Sequence, residues 1–203
     1  TGSGYRPRKG AVVGMNGSGY GPYVDSRGFA KMFWGELFVF LDIRIGGFDL
    51  FPDLIGLILI VGGVFQLSAY QEHFERLRGI VILRLILSVG DIVSVDELGV
   101  RPSYTLLLSL LLGGVGLALS LLYYYHTLMG IKELASVTLP GLAEPARTRW
   151  TLILICNCLG YLFSFLALLS KTFEVLWVIA IVAMLLLTIS FMELLWRSYK
   201  ELR

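Results

Sequence analysis

Histidine occurs twice, cysteine twice, and charged side chains make up only 16% of the 203 residues. Each scarcity closes off a class of function. His73 and His126 belong to no His-x-x-x-His or Glu-x-x-His spacing, so no metal centre is expected. Cys156 and Cys158 lie two apart in an apolar run, where helical geometry points them to different faces; they read as small buried hydrophobes, not as a disulfide. No glycine-rich phosphate loop follows a strand, and the Gly113-Gly114-Val115-Gly116 run is embedded in apolar sequence. No serine or cysteine nucleophile has a base nearby, so neither an enzyme nor a cofactor is expected. A net charge of +2, without a basic stripe interleaved with aromatics, argues against nucleic acid.

What the chain has instead is apolar surface. Hydrophobic residues account for 56% of it and the mean hydropathy is +0.76, whereas soluble domains carry roughly 45–50% apolar and roughly 25% charged residues. A chain this short cannot bury that excess in water, but a bilayer accepts it. Residues 1–30 differ: they hold eight of the glycines and no apolar period, and such a stretch cannot offset its chain entropy by burial. They read as a flexible tail, with Met15 and Met32 as candidate natural starts. From 31 to 203 the sequence reads as one domain, an all-α, polytopic transmembrane bundle of about six helices. They are expected near 31–45 (short for a span), 53–70, 78–95, 104–127, 150–170 and 173–197, with a longer loop around Pro140 and Pro145 that carries a short amphipathic turn near 131–137. A typical hydrocarbon core takes ~20 residues of helix to cross.

Basic residues sort these helices. If all six cross, Arg44, Arg101 and Lys171 fall on one side, Arg84 lies within the third helix, and the other thirteen of the seventeen Lys and Arg fall on the opposite side. Lys and Arg are retained in the cytoplasm, so both termini are expected there, in a bacterial plasma membrane. Trp34, Trp150 and Trp196, with Tyr123, Tyr124 and Tyr125, fall near that inner boundary, the level amphipathic rings favour.

The acidic residues sort oppositely. Asp42, Asp49 and Asp53, with Arg44, crowd the turn between the first two helices, and Asp91 ends the third. They read as an outward-facing polar site, or else as water-facing carboxylates, Asp53 favouring the dipole of the second helix. Arg84, Ser88 and Asp91 share one face at i, i+4, i+7. A charge at the depth of Arg84 is costly in lipid and needs a partner; Glu36 or Glu193 is expected to supply it, with Glu193 otherwise read as pairing with Arg197 at i+4. Two sets of small residues mark close helix packing: Gly56 and Gly63 on the second helix, and Ser109, Gly113, Gly116 and Ser120 on the fourth.

The segment Phe33-Trp34-Gly35-Glu36, then the Asp42–Asp49 turn, then Pro52-Asp53-Leu54-Ile55-Gly56 resembles the start of a group of small, uncharacterised integral membrane proteins of Gram-positive, Firmicute-type bacteria. That resemblance implies a location and no activity. The overall plan is also similar, without matching motifs, to the substrate-binding membrane subunits of energy-coupling-factor transporters. The similarity implies a small-molecule ligand captured near the outer face and a membrane-protein partner docked on small-residue helix faces. The expected partners are therefore the lipid bilayer and a small solute or ion, or alternatively a partner membrane protein.

Overall fold

The computed structural model describes residues 15–16, 19–20, 25–41, 50–91, 102–136, 139–167 and 170–202. Six helices carry the fold: α1 (Arg27–Leu41), α2 (Leu50–Leu67), α3 (Glu72–Asp91), α4 (Pro102–Ala135), α5 (Pro140–Ala167) and α6 (Lys171–Glu201). A two-residue antiparallel pair, β1 (Met15–Asn16) with β2 (Gly19–Tyr20), precedes them. Each helix packs on its neighbours in sequence, and α6 closes on α1. The result is an up-and-down ring. At one end α1, α3 and α5 begin and α2, α4 and α6 finish. This basic end carries Arg27, Lys31, Arg76, Arg78, Lys132, Arg147, Arg149, Arg197 and Lys200.

At the basic end α1, α3, α4, α5 and α6 outrun the hydropathic segments expected from sequence, whereas α2 stops at Leu67, short of the expected Tyr70. α1 begins at Arg27, not at 31, because Asp25 caps it: the Arg27 backbone N–H donates to Asp25 Oδ1 at 3.2 Å. Phe29, inside the stretch read as tail, is fully buried. α3 starts at Glu72, six residues before the expected point, through a polar first turn with Glu72 and Glu75. The 131–137 turn is no separate element, since α4 runs unbroken to Ala135. Pro140 and Pro145 are not in a loop. Pro140 opens α5, where its missing N–H is not needed, and Pro145 sits inside that helix at the cost of one bond to Gly141. The physical reason is common to all: hydropathy marks the part of a helix that meets lipid, and these helices project beyond it.

Among the described residues, three stretches are long and apolar enough to cross a membrane: Leu111–Ala135, Gly141–Ala167 and Phe173–Glu201. The apolar part of α2, Leu54–Leu67, is shorter. Their outer faces suit lipid: Leu111, Ile155, Leu162, Val175, Ile179 and Leu186 are all exposed. Such helices are those of a membrane protein. Cys156 and Cys158 are free thiols, but Cys158 is exposed and Cys156 half-buried, which corrects their reading as buried hydrophobes. They lie on the apolar surface of α5, where a thiol is as acceptable as a methyl group.

The buried core is concentrated towards the basic end. Phe29 and Met32 of α1, Val64 and Leu67 of α2, Phe74 and Leu77 of α3, Leu128 and Ile131 of α4, Leu142 and Ala146 of α5, and Phe191 and Leu194 of α6 are buried there. Phe29 meets Phe74 edge-on at 5.7 Å between centroids, and Tyr124 meets Phe191 at 4.9 Å. Edge-to-face pairs of this kind add about 0.5–1.5 kcal/mol each beyond area burial.

Candidate functional site

A polar cluster lies midway along the bundle, where α1, α3, α4 and α6 meet. Arg84 stands nine ångströms or more from either end of α3 by ~1.5 Å of rise per residue. Its guanidinium carbon lies 4.8 Å from the centre of the Tyr123 ring of α4, a cation–π contact that strengthens where water is excluded. Glu36 of α1 feels the Arg84 charge and lies beside the Tyr123 hydroxyl. The neighbouring Tyr124 hydroxyl reaches Thr188 of α6.

Local sequence explains how these groups arrive together. Gly35 lets α1 press against α2 and seats the next residue, Glu36, in the interior, where it is 3% exposed. Tyr123 and Thr127, four apart on α4, share one face and are both fully buried. Arg84 enters from α3 as a long side chain able to bring its charge to the interior while its stem packs against apolar neighbours.

The cluster is incompletely satisfied. Glu36 Oε1, Arg84 Nη1, the Tyr123 hydroxyl and Thr127 Oγ1 are all buried without a well-formed hydrogen bond. An orphaned buried polar atom costs about 1–3 kcal/mol, so this arrangement opposes stability. What it offers is an acceptor, a cationic donor and a hydroxyl close together, each with hydrogen-bonding capacity to spare. Such a set can hold a small molecule with both a hydrogen-bond donor and an anionic or carbonyl oxygen, or a chain of ordered water.

Of the residues expected to form an outward-facing site, only Arg84 has a described side chain. Arg84 is in the central cluster. Asp53 lies in the first turn of α2 and Asp91 ends α3, seven residues beyond Arg84. Asp42, Arg44 and Asp49 lie outside the described residues. Of the two carboxylates expected for Arg84, Glu36 takes that place. Glu193 belongs to Arg149, whose Nη2 lies 3.3 Å from Glu193 Oε2. Arg197 does not pair with Glu193; it bonds Glu201 one turn further on at 3.1 Å.

The small residues separate into two groups. Gly56 and Gly63 face Gly35 and Gly28 of α1 at backbone contact. Gly113 touches the Tyr161 ring of α5 at ordinary distance, and nothing lies within 4 Å of a side chain built on Gly116. Ser120 is half-buried, and Ser109 lies within α4. Tyr123 and Tyr124 are contributors that sequence reading assigned to the membrane boundary alone; their spacing from the Arg84 depth carried the missed signal. Among the described residues, no group of three or more His, Cys, Asp or Glu converges on a metal position. No family model, curated protein or solved structure matches this chain.

Proposed function

We propose that this chain is a multi-pass protein of a bacterial plasma membrane that binds, and helps to move, a small polar solute or ion. All six helices cross, and the basic end faces the cytoplasm. The ligand site is the Glu36–Arg84–Tyr123 cluster. The single observation that supports this is the meeting of a buried carboxylate, guanidinium and hydroxyl from three different helices, whose contacts with one another leave polar atoms without a well-formed hydrogen bond. A purely structural ion pair in lipid gains by closing its hydrogen bonds, and this one leaves Arg84 Nη1 and Glu36 Oε1 short of a well-formed one. Ser88, one turn beyond Arg84, continues its face towards the opposite end of α3, a polar step along which a solute could approach.

The test is a thermal-shift screen of the purified protein in detergent against small amino acids, nucleosides, water-soluble vitamins and inorganic ions. A compound that stabilises the wild type should fail to stabilise Glu36→Gln, Arg84→Met and Tyr123→Phe. Retention of the shift in all three variants sinks the site, and the absence of any stabilising compound sinks the reading.

A second reading has its own observation. The open small-residue face at Gly116 suits close approach by a helix of another membrane protein. On that reading the chain is a docking subunit. Mild-detergent purification from the native membrane should then recover a stoichiometric partner that Gly116→Leu releases.

A further inference from the structure

Both histidines of the chain meet towards the basic end, on the basic-end side of Arg84 and less than one helical turn along α4 from Tyr123. His73 of α3 and His126 of α4 place their Nδ1 atoms 2.9 Å apart, so one ring donates and the other accepts. On its far side His73 Nε2 lies 3.4 Å from Glu133 Oε1, also of α4. The Gln71 side-chain amide donates to Glu133, and its oxygen accepts the backbone N–H groups of His73 and Phe74. The start of α3 is thus fastened to α4 through one hydrogen-bonded chain. The other groups facing the imidazoles are Tyr125, whose ring contacts both, and Arg76, which acts on His126 while bonded to Glu72 at 2.6 Å. From α5 the neighbour is Trp150, uncharged, against Tyr125.

A metal does not fit this arrangement. The two Nδ1 atoms face each other, but the carboxylate sits on the opposite nitrogen of His73, so the three groups do not converge. A proton does fit. With both rings neutral, His126 Nδ1–H donates to His73 Nδ1, and His73 Nε2–H donates to Glu133. With one added proton the Nδ1 contact persists, since one ring still offers a lone pair, and the Glu133 carboxylate compensates the charge. With two, both Nδ1 atoms carry hydrogens and face each other within contact distance, near the Arg76 charge. That state cannot keep the contact.

We propose that Glu133, His73 and His126 form a proton-binding site that ties α3 to α4 at the basic end and releases them when both imidazoles are charged. The seam it controls is well defined. Phe74, adjacent to His73, buries its ring on Gly130 of α4, where a Cβ would come within 2.6 Å of the ring. The same two helices carry Arg84 and Tyr123 further along. The sign follows from the proton count. The contact is held at high pH and lost as pH falls through the imidazole range, because the parted helices bind the second proton more readily than the joined ones.

Hydrogen exchange of the protein in lipid nanodiscs, corrected for intrinsic rates, reads this directly. Between pH 8 and pH 5.5 protection over 71–77 and 126–133 should fall by about tenfold or more. Protection over 150–160 should stay constant. His73→Gln and His126→Gln should each remove the pH dependence. Glu133→Gln should move the loss to higher pH, since the singly charged state loses its counter-charge. Constant protection down to pH 5.5 in the wild type overturns the proposal, as does unchanged pH dependence in the histidine variants. If those variants do not fold, an unmoved transition in Glu133→Gln overturns it.

Discussion

Gly35 of α1 and Gly56 of α2 meet backbone to backbone. A Cβ on Gly35 would lie 2.5 Å from the Gly56 carbonyl oxygen, and one on Gly56 would lie 2.6 Å from the Gly35 carbonyl oxygen. Two helical turns away Gly28 and Gly63 repeat the contact, with a Cβ on Gly63 at 2.5 Å from the Gly28 oxygen. Seven-residue spacing on both helices keeps the glycines in one seam, and the obstacle at each is backbone, which cannot rotate away. Gly35→Ala and Gly56→Ala should therefore destabilise the protein by about 1–3 kcal/mol each, the usual cost of overpacking. Gly116→Ala, with open space around it, should be neutral or stabilising by up to about 1 kcal/mol through helix propensity. Thermal unfolding in detergent compares the three, and equal effects would contradict the packing described.

Arg149 joins α5 to α6. Its Nη1 donates to the Ser190 carbonyl oxygen at 2.6 Å, and its Nη2 lies 3.3 Å from Glu193. The arginine side chain is 17% exposed and the glutamate 58%. The two partners should therefore respond unequally. Arg149→Met keeps the apolar stem but loses the charge-assisted bond to the carbonyl, and should cost about 1.5–3 kcal/mol. Glu193→Gln removes a solvent-screened partner and should cost less than about 1 kcal/mol. Unfolding followed by the fluorescence of adjacent Trp150 measures both.

These pairings also show where sequence reading succeeds and where it stops. Depth is legible: the cost of a charge inside lipid demands a partner for Arg84, and Glu36 is at a compatible level. Neighbourhood is not legible. Which residues of two neighbouring helices come level depends on where each helix begins and how it packs, so Glu193 reads as a partner of Arg197 when Arg149 of α5 occupies that place. The same limit hides the meeting of His73 with His126, 53 positions apart, which no local spacing announces. Helix identity follows from apolar runs, whereas helix ends follow from caps such as Asp25 and from amphipathic turns outside the lipid-facing part.

Tyr123→Phe separates stability from function. The hydroxyl is buried beside Glu36 without a well-formed hydrogen bond, so removing it deletes at most one poorly formed contact while leaving the ring under Arg84. Stability should stay constant or rise by about 1 kcal/mol. Ligand-induced stabilisation should fall at the same time, the trade expected of a binding group. A loss of stability comparable with that of a core truncation would mean that the hydroxyl is a structural donor.

Glu36 and Arg84 call for a double-mutant cycle, because each is the other's counter-charge. Glu36→Gln alone leaves a cation in the bundle, and Arg84→Met alone leaves a carboxylate. Removing one member of a buried pair costs about 3–5 kcal/mol, whereas replacing both with neutral groups is often close to neutral. The double variant should therefore recover most of the stability lost in either single variant, so the coupling shows as strong non-additivity. Its ligand response should not recover, since a neutral pair offers neither the acceptor nor the cationic donor. Recovery of both stability and ligand response would reduce the pair to a structural element. Persistence of the single-variant instability in the double variant would show that the two charges act independently. Parallel measurements of unfolding temperature and of stabilisation by the compound found in the wild-type screen decide between these outcomes.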